Sequence, residues 1–192
     1  CLRPAEERDV EPLRAFLQGL SRESLYNRFL GLPALDAASV RALAGLPAGA
    51  ATALVAESGR RIVAFAGFYR DRAADRAEVA FAVSDDLQGH GIGTRLLERL
   101  ASLARQQGIA TFDAHVLGNN RRMLDVFRDC GFAVTTTFEG GAWHVTLGLT
   151  VTPRFADRAA ARSRAAATAS MRSFFEPKVV AVVGANRERG RI

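Results

Sequence analysis

Residues 76–93, Arg-Ala-Glu-Val-Ala-Phe-Ala-Val-Ser-Asp-Asp-Leu-Gln-Gly-His-Gly-Ile-Gly, read as a strand that runs straight into a glycine-rich turn and then into an amphipathic helix. A strand that hands glycines to a helix N-terminus is a device for holding an anion such as a pyrophosphate. Gly89, Gly91 and Gly93 remove side chains that would keep the backbone away from the anion. The helix, opening at Gly93-Thr94, offers N–H groups without acceptors and the positive end of its dipole. Glu78 lies inside the strand that delivers the loop. An acid buried beside an anion site has few structural uses, so this segment is where function is to be sought.

Apolar periodicity organises the rest. Val10, Leu13, Phe16, Leu17 and Leu20 fall at helical spacing behind Asp9, which is expected to cap that helix; Ser21 caps a second, Ser21 to Leu30, ended by Gly31 and Pro33, and a third follows Asp36. The period then changes. Residues 51–56, 61–69 and 77–84 are short runs rich in Val, Phe and Ile, which predicts three antiparallel strands in a meander. After the glycine turn, Leu96, Leu97, Leu100, Leu103 and Ala104 form one helical stripe closed by Gly108. A strand over 109–117 follows, then a helix capped by Asn120 and stopped by Gly131. Two further strands, 132–138 and 143–150, are joined through Glu139-Gly140-Gly141. The order predicts an α/β domain over residues 1–150.

At Pro153 the composition shifts. Residues 151–173 are mostly Ala and Arg without a wide apolar stripe, which predicts an exposed linker helix. Residues 174–192 contain Lys178-Val-Val-Ala-Val-Val-Gly-Ala-Asn, a buried-type strand entering a second glycine turn, as at the start of another, truncated domain. The first residue is Cys1 rather than Met, which also fits a segment of something longer.

Composition excludes several classes. No apolar run is long enough to span a bilayer and no basic-then-apolar leader precedes the first motif, so the expectation is a cytoplasmic protein with no membrane partner and with Cys1 and Cys130 reduced. The net charge of +6 could suit nucleic acid, but the arginines are scattered and no aromatic residues interleave with them, so no nucleic-acid partner is expected. His90, His115 and His144 show no spacing that resembles a metal site, and no metal is expected.

Taken together, Gln88-Gly-His-Gly-Ile-Gly93, the helix after it, and the block from Asn120 to Gly131-Phe132 resemble the GNAT superfamily of acetyl-CoA-dependent N-acetyltransferases over roughly residues 1–150. The resemblance implies a mixed, mostly antiparallel central sheet flanked by helices, with acetyl-CoA as cofactor. Ser21-x-x-Ser-x-Tyr-x-Arg-Phe29 is similar to a stretch in bacterial protein lysine acetyltransferases, many of which are fused to an NDP-forming acyl-CoA synthetase-like region. The tail from Phe174 resembles the opening of that region's CoA-binding, Rossmann-like domain. A covalently linked synthetase-like domain in the full-length protein is therefore implied.

By that resemblance, Gln88, Gly89, His90, Gly91, Ile92, Gly93 and Thr94 hold the pyrophosphate, backbone at Ala82 and Val83 serves the pantetheine and thioester, and Asn120 belongs to the second block. An acceptor amine must lose a proton, since a lysine near its reference pKa of about 10.4 is charged at neutral pH. Glu78 is the candidate general base: alternation puts it opposite Val79, Phe81 and Val83, with the small Ala80 and Ala82, and related enzymes place a glutamate at this Ala-Glu-Val position. Many family members carry a tyrosine acid where this chain has Phe127, which then packs on the pantetheine arm or belongs to the core. Tyr26, Arg28 and Phe29 are candidates to shape the protein-substrate side. Asp85-Asp86 reads first as a solvated loop and second as an attractor for a substrate lysine. The expected activity is acetyl transfer to a protein substrate with a reactive lysine, with AMP-forming acyl-CoA synthetases as the family's usual targets. The alternatives are a small-molecule amine acetyltransferase and a non-catalytic CoA-sensing module.

Overall fold

Three short segments ahead of the glycine turn and three behind it, with one more at the N-terminus, build a single seven-stranded sheet: β1 (Leu2–Pro4), β2 (Ala51–Ser58), β3 (Arg61–Arg70), β4 (Arg76–Val83), β5 (Thr111–Leu117), β6 (Ala133–Glu139) and β7 (Ala142–Gly148). Their spatial order is β1-β2-β3-β4-β5-β7-β6, and every neighbouring pair is antiparallel except β4 and β5. The helices are α1 (Val10–Gln18), α2 (Arg22–Phe29), α3 (Ala37–Leu43), α4 (Ile92–Gln106), α5 (Arg121–Asp129) and α6 (Pro153–Phe175). The fold comes from a computed structural model and is described for residues 1–46, 51–70 and 75–175.

Burial explains the layering. Strand β3 is buried from Ile62 to Phe68, the signature of a strand covered on both faces. On one face α1 and α3 bring Leu13, Phe16, Leu17 and Val40 onto Val55, Phe65 and Ala82. On the other face α4 and α5 cover Val79, Phe81 and Phe112, and the rings of Phe81 and Phe127 meet edge-on at 6.0 Å. Strand β4 alternates as its sequence predicts, with Ala77, Val79 and Phe81 buried and Glu78 on the opposite face.

Local signals behave as their chemistry requires. Ser21, Asp36 and Asn120 cap α2, α3 and α5 by accepting from the backbone N–H of Ser24 (3.1 Å), Ser39 (2.9 Å) and Met123 (3.2 Å). The β6–β7 turn places Gly140 and Gly141 at φ +59° and +85°, the left-handed pair that a two-residue hairpin demands. Asp9 departs from expectation. Its side chain does not cap α1; it accepts from the Glu6 N–H (2.7 Å) and takes the Arg3 guanidinium on both oxygens (2.7 Å each). A bidentate charged partner outcompetes a neutral cap. Arg3 sits on β1, which carries no sequence signal because it is three residues long and ends in Pro4. Helix α2 turns off at Leu30, which is itself left-handed (φ 56°), rather than at Gly31.

The chain divides into two compact units, Cys1–Ala156 and Asp157–Ile192. Helix α6 spans the Ala/Arg-rich stretch; the strand and second glycine turn expected after Lys178 lie outside the described residues. Among the described residues no helix is long and apolar enough to cross a membrane, and no group of three or more His, Cys, Asp or Glu side chains is placed to hold a metal ion.

Candidate active site

The parallel junction of β4 and β5 is short. Only Arg76 with Thr111, Ala77 with Phe112, and Glu78 with Asp113 are paired, after which β4 follows β3 to the Val83–Ala64 pair and β5 follows β7 to the Leu117–Ala142 pair. Each strand twists with its own antiparallel partner, so the two part beyond Glu78. The result is a wedge edged by the backbone of 79–83 and 114–117, whose N–H and C=O groups suit a linear ligand that carries amides.

At the wide end of the wedge stands the glycine loop. Gly89 and Gly91 have φ of +80° and +78°, and a Cβ built on either would meet nothing within 4 Å. Both positions need glycine for backbone sign, and the space beside them stays open. Gly91 caps α4, which opens at Ile92 rather than at Gly93-Thr94, and the first helical bond runs from the Arg95 N–H to the Gly91 oxygen (3.2 Å). The N–H groups of Ile92, Gly93 and Thr94 are thus those of a first turn, with no acceptor inside the helix. Gly93 serves packing instead. Its Cβ would lie 3.1 Å from the Phe81 ring, so the missing side chain lets α4 close onto the sheet. A backbone cradle at a helix N-terminus fits a pyrophosphate.

Gln88, His90 and Asn120 are engaged with the protein's own groups. Gln88 turns its side chain inward, donating to the Val83 oxygen (3.2 Å) and Ser24 Oγ (3.1 Å) and accepting from Arg122 (3.1 Å). His90 is exposed, with Nδ1 3.0 Å from the Gln88 oxygen, and Asn120 is occupied as the α5 cap. Ala82 is buried under the α1 layer, while Val83, Ile92 and Thr94 are half-buried. Phe127 is 2% exposed and packed on Phe81, so the structure places it in the core.

Glu78 is exposed, which corrects the expectation of a buried acid. It sits at the apex of the wedge, on the sheet face that α1 and α3 cover further along at Ala82, and no hydrogen bond or ion pair engages it among the described residues. Its neighbour Asp113 is the opposite case. Burial pushes the Asp113 carboxyl up, but the Arg76 guanidinium (2.8 and 2.7 Å) and Thr146 Oγ1 (2.9 Å) outweigh that and hold it below the usual carboxylate range; His144 Nε2 lies 3.3 Å away. Asp113 is saturated with donors, whereas Glu78 has none among the described residues. Across the β3–β4 ladder Glu78 faces Tyr69, whose hydroxyl donates to the Leu43 oxygen (3.3 Å) and is pushed up by burial.

Sequence reasoning missed the link between the loop and α2. Asp85, expected first as a solvated loop residue, accepts from the Ser21 N–H (2.9 Å), Ser21 Oγ (3.0 Å) and Ser24 Oγ (2.5 Å). Burial raises its carboxyl pKa, but those bonds outweigh it and leave the carboxyl below its ordinary value. The Ser21-x-x-Ser24 spacing is the available signal, because it puts both hydroxyls at one helix end. Asp86 pairs instead with Arg61 (3.2 Å).

The model of the acetyltransferase (GNAT) family matches residues 21–132, which takes in α2, the wedge, the glycine loop and the α5 block. The chain belongs to the GNAT acetyltransferase family. Over 133 residues the GNAT chain is 34% identical to Acetyltransferase Pat of Mycolicibacterium smegmatis, covering 68% of this chain and 40% of that relative. It therefore spans well under half the length of that relative. The solved GNAT domain of S. lividans PAT superposes with a TM-score of 0.68 at 33% identity, covering 77% of this chain and 89% of that one. The GNAT fold is also shared with yncA from Salmonella typhimurium, solved with its cofactor acetyl-CoA (TM-score 0.62, 21% identity, 79% and 95% covered).

Proposed function

We propose that this GNAT domain transfers acetyl from acetyl-CoA to the ε-amine of a protein lysine, with Glu78 as general base. The observation that carries the reading is the position of Glu78: a carboxylate with no hydrogen-bond or ion-pair partner among the described residues, at the apex of the β4–β5 wedge, below the glycine cradle at the α4 N-terminus. Likeness to a mycobacterial Pat and to the S. lividans PAT domain supports a protein acceptor.

When bound, acetyl-CoA supplies an electrophilic thioester carbonyl and a thiol leaving group of reference pKa about 8.5, which leaves without a dedicated acid. Phe127 therefore need not supply one. The cradle over Gly89–Thr94 holds the pyrophosphate by backbone N–H groups, and the strand edge at 79–83 orients the linear arm. Glu78, reachable from solvent, accepts the ammonium proton directly or through one water, and the neutral amine then attacks. Asp113 stays ionised and paired with Arg76, so it does not compete for that proton. Residues 1–150 form the catalytic domain, 151–173 the linker, and 174–192 the opening of a CoA-binding domain of a longer cytoplasmic protein.

The test is mass spectrometry of acetylated lysines after the chain and acetyl-CoA are incubated with the soluble proteins of its host. Site-specific acetylation that disappears with Glu78→Gln supports the reading. Acetylation confined to free amines, or equal labelling by both proteins, refutes it.

A further inference from the structure

Helix α2 carries a cation that the described residues satisfy only in part, through Tyr69 and the attraction of Glu78. Arg28 is half-buried as a residue, yet its Nε and Nη2 are fully occluded and find no hydrogen-bond partner among the described residues. The guanidinium stacks 4.7 Å from the centre of the Phe29 ring and lies beside Tyr69, within electrostatic reach of Glu78. Tyr69 and Glu78 are direct cross-strand partners, so Arg28, Tyr69 and Glu78 form one cluster on the acceptor side of the wedge. Burial pushes the guanidinium down from the ordinary arginine value, against the pull of Tyr69 and Glu78. A buried charge with unfilled donors is destabilising, and a chain keeps one where something outside the folded chain fills it.

The two unfilled donors share an edge. In a guanidinium the Nε–H and the Nη2–H run nearly parallel, and together they match the two oxygens of a planar anion. One cation beside one glutamate suits a monoanion better than a phosphate dianion. We propose that the Nε–Nη2 edge of Arg28 is a subsite for a carboxylate carried by the acetyl acceptor, fixing the acceptor so that its amine lies at Glu78. This deepens the proposed function and rests on it. Binding there requires the C-terminal end of α2 to move outward and uncover the edge, while the helix start, where Ser21 and Ser24 bond Asp85, stays in place; α2 buries none of its residues fully. The carboxylate belongs either to an acidic side chain near the target lysine or to a free amino acid.

The experiment reads binding, not turnover, so it stands apart from the role of Glu78. Fluorescence anisotropy with saturating CoA compares peptides holding one lysine flanked by Glu with the same peptides carrying Gln, and isothermal titration compares a free amino acid with its amide. The carboxylate form is expected to bind about tenfold more tightly in one of the two pairs. Preference in the peptide pair assigns the carboxylate to a protein substrate. Preference only in the amino-acid pair keeps the subsite and refutes the protein-lysine reading. Arg28→Met is expected to erase the preference while its Tm equals or exceeds that of the parent, because an unfilled buried charge is gone. Arg28→Lys keeps charge without the fork and restores only part. Equal binding of acid and neutral forms by the parent protein, absence of binding by every carboxylate acceptor, or a preference that survives Arg28→Met overturns the proposal.

Discussion

Glu78 and Asp113 are the last residues paired between β4 and β5, side by side on one face of the sheet. Beyond them the strands part, so Glu78, which has no hydrogen-bond donor among the described residues, stands where the backbone edge becomes available. In hydrogen-exchange mass spectrometry, the segments 79–83 and 114–117 are expected to gain protection when acetyl-CoA is added, while β2, already paired on both sides by β1 and β3, is unchanged. No gain in either segment would place the cofactor elsewhere.

Glu78→Gln removes the proton acceptor but keeps size and exposure. We expect kcat/KM for transfer to fall about 10²- to 10⁴-fold, with acetyl-CoA affinity by calorimetry unchanged within about twofold. Unaltered transfer rates would remove Glu78 from the mechanism.

Two glycines with positive φ predict contrasting outcomes. At Gly91 a Cβ meets open space, so Gly91→Ala costs only the left-handed backbone penalty of about 1 kcal/mol, and the added methyl intrudes on the anion site. CoA affinity should fall more than Tm. At Gly131 (φ +92°) a Cβ would sit 2.8 Å from the Phe155 Cα and 3.0 Å from its nitrogen, backbone atoms that cannot rotate away. Gly131→Ala should lose more than about 2 kcal/mol in chemical denaturation, with little direct effect on CoA binding in the protein that remains folded.

Asp85→Asn weakens the charge-assisted bonds that join Ser21 and Ser24 to the Gln88 loop. Loss of one such bond corresponds to about a tenfold rise in KM for acetyl-CoA. Steady-state kinetics at fixed acceptor measure it, and an unchanged KM would separate α2 from the loop.

Stability should fall in acid in a defined way. The Arg3 guanidinium, with the Glu6 N–H, holds the Asp9 carboxyl below its ordinary value against the effect of burial, and Asp85 and Asp113 are also held low by their bonds. A carboxyl whose folded pKa is depressed contributes in full above its unfolded value, near 3.9, and loses that contribution as pH falls through the folded one. Melting temperature should therefore be flat with respect to these groups above about pH 5 and drop steeply below about pH 4. Asp9→Asn, which leaves Arg3 with Glu57 alone, should lower stability at pH 7 by about 2 kcal/mol and flatten the acid limb.

Much of this protein is legible along the chain because the signals are local. Ser21, Asp36 and Asn120 cap helices by bonds to residues three positions on, and Gly140-Gly141 sets its own turn. Glu78 alternates away from Phe81 because strands have period two. Asp9 escapes local reading for the complementary reason: its partner Arg3 sits on a strand too short to announce itself. Phe127 leaves two readings open along the chain, and only the edge-on contact with Phe81 assigns it to the core.

The sequence by itself determined the element order after β1, the glycine cradle, the acetyltransferase family and the one acid worth testing, since each rests on contiguous residues or fixed spacings. The tertiary structure decided what those residues face. It parted β4 from β5 just past Glu78, left that acid exposed while saturating Asp113, tied Gln88 and Asp85 to the start of α2, and brought Arg28 beside Tyr69 with an edge unfilled among the described residues. These are contacts between segments tens of residues apart, set by sheet twist and helix packing, which no local pattern encodes.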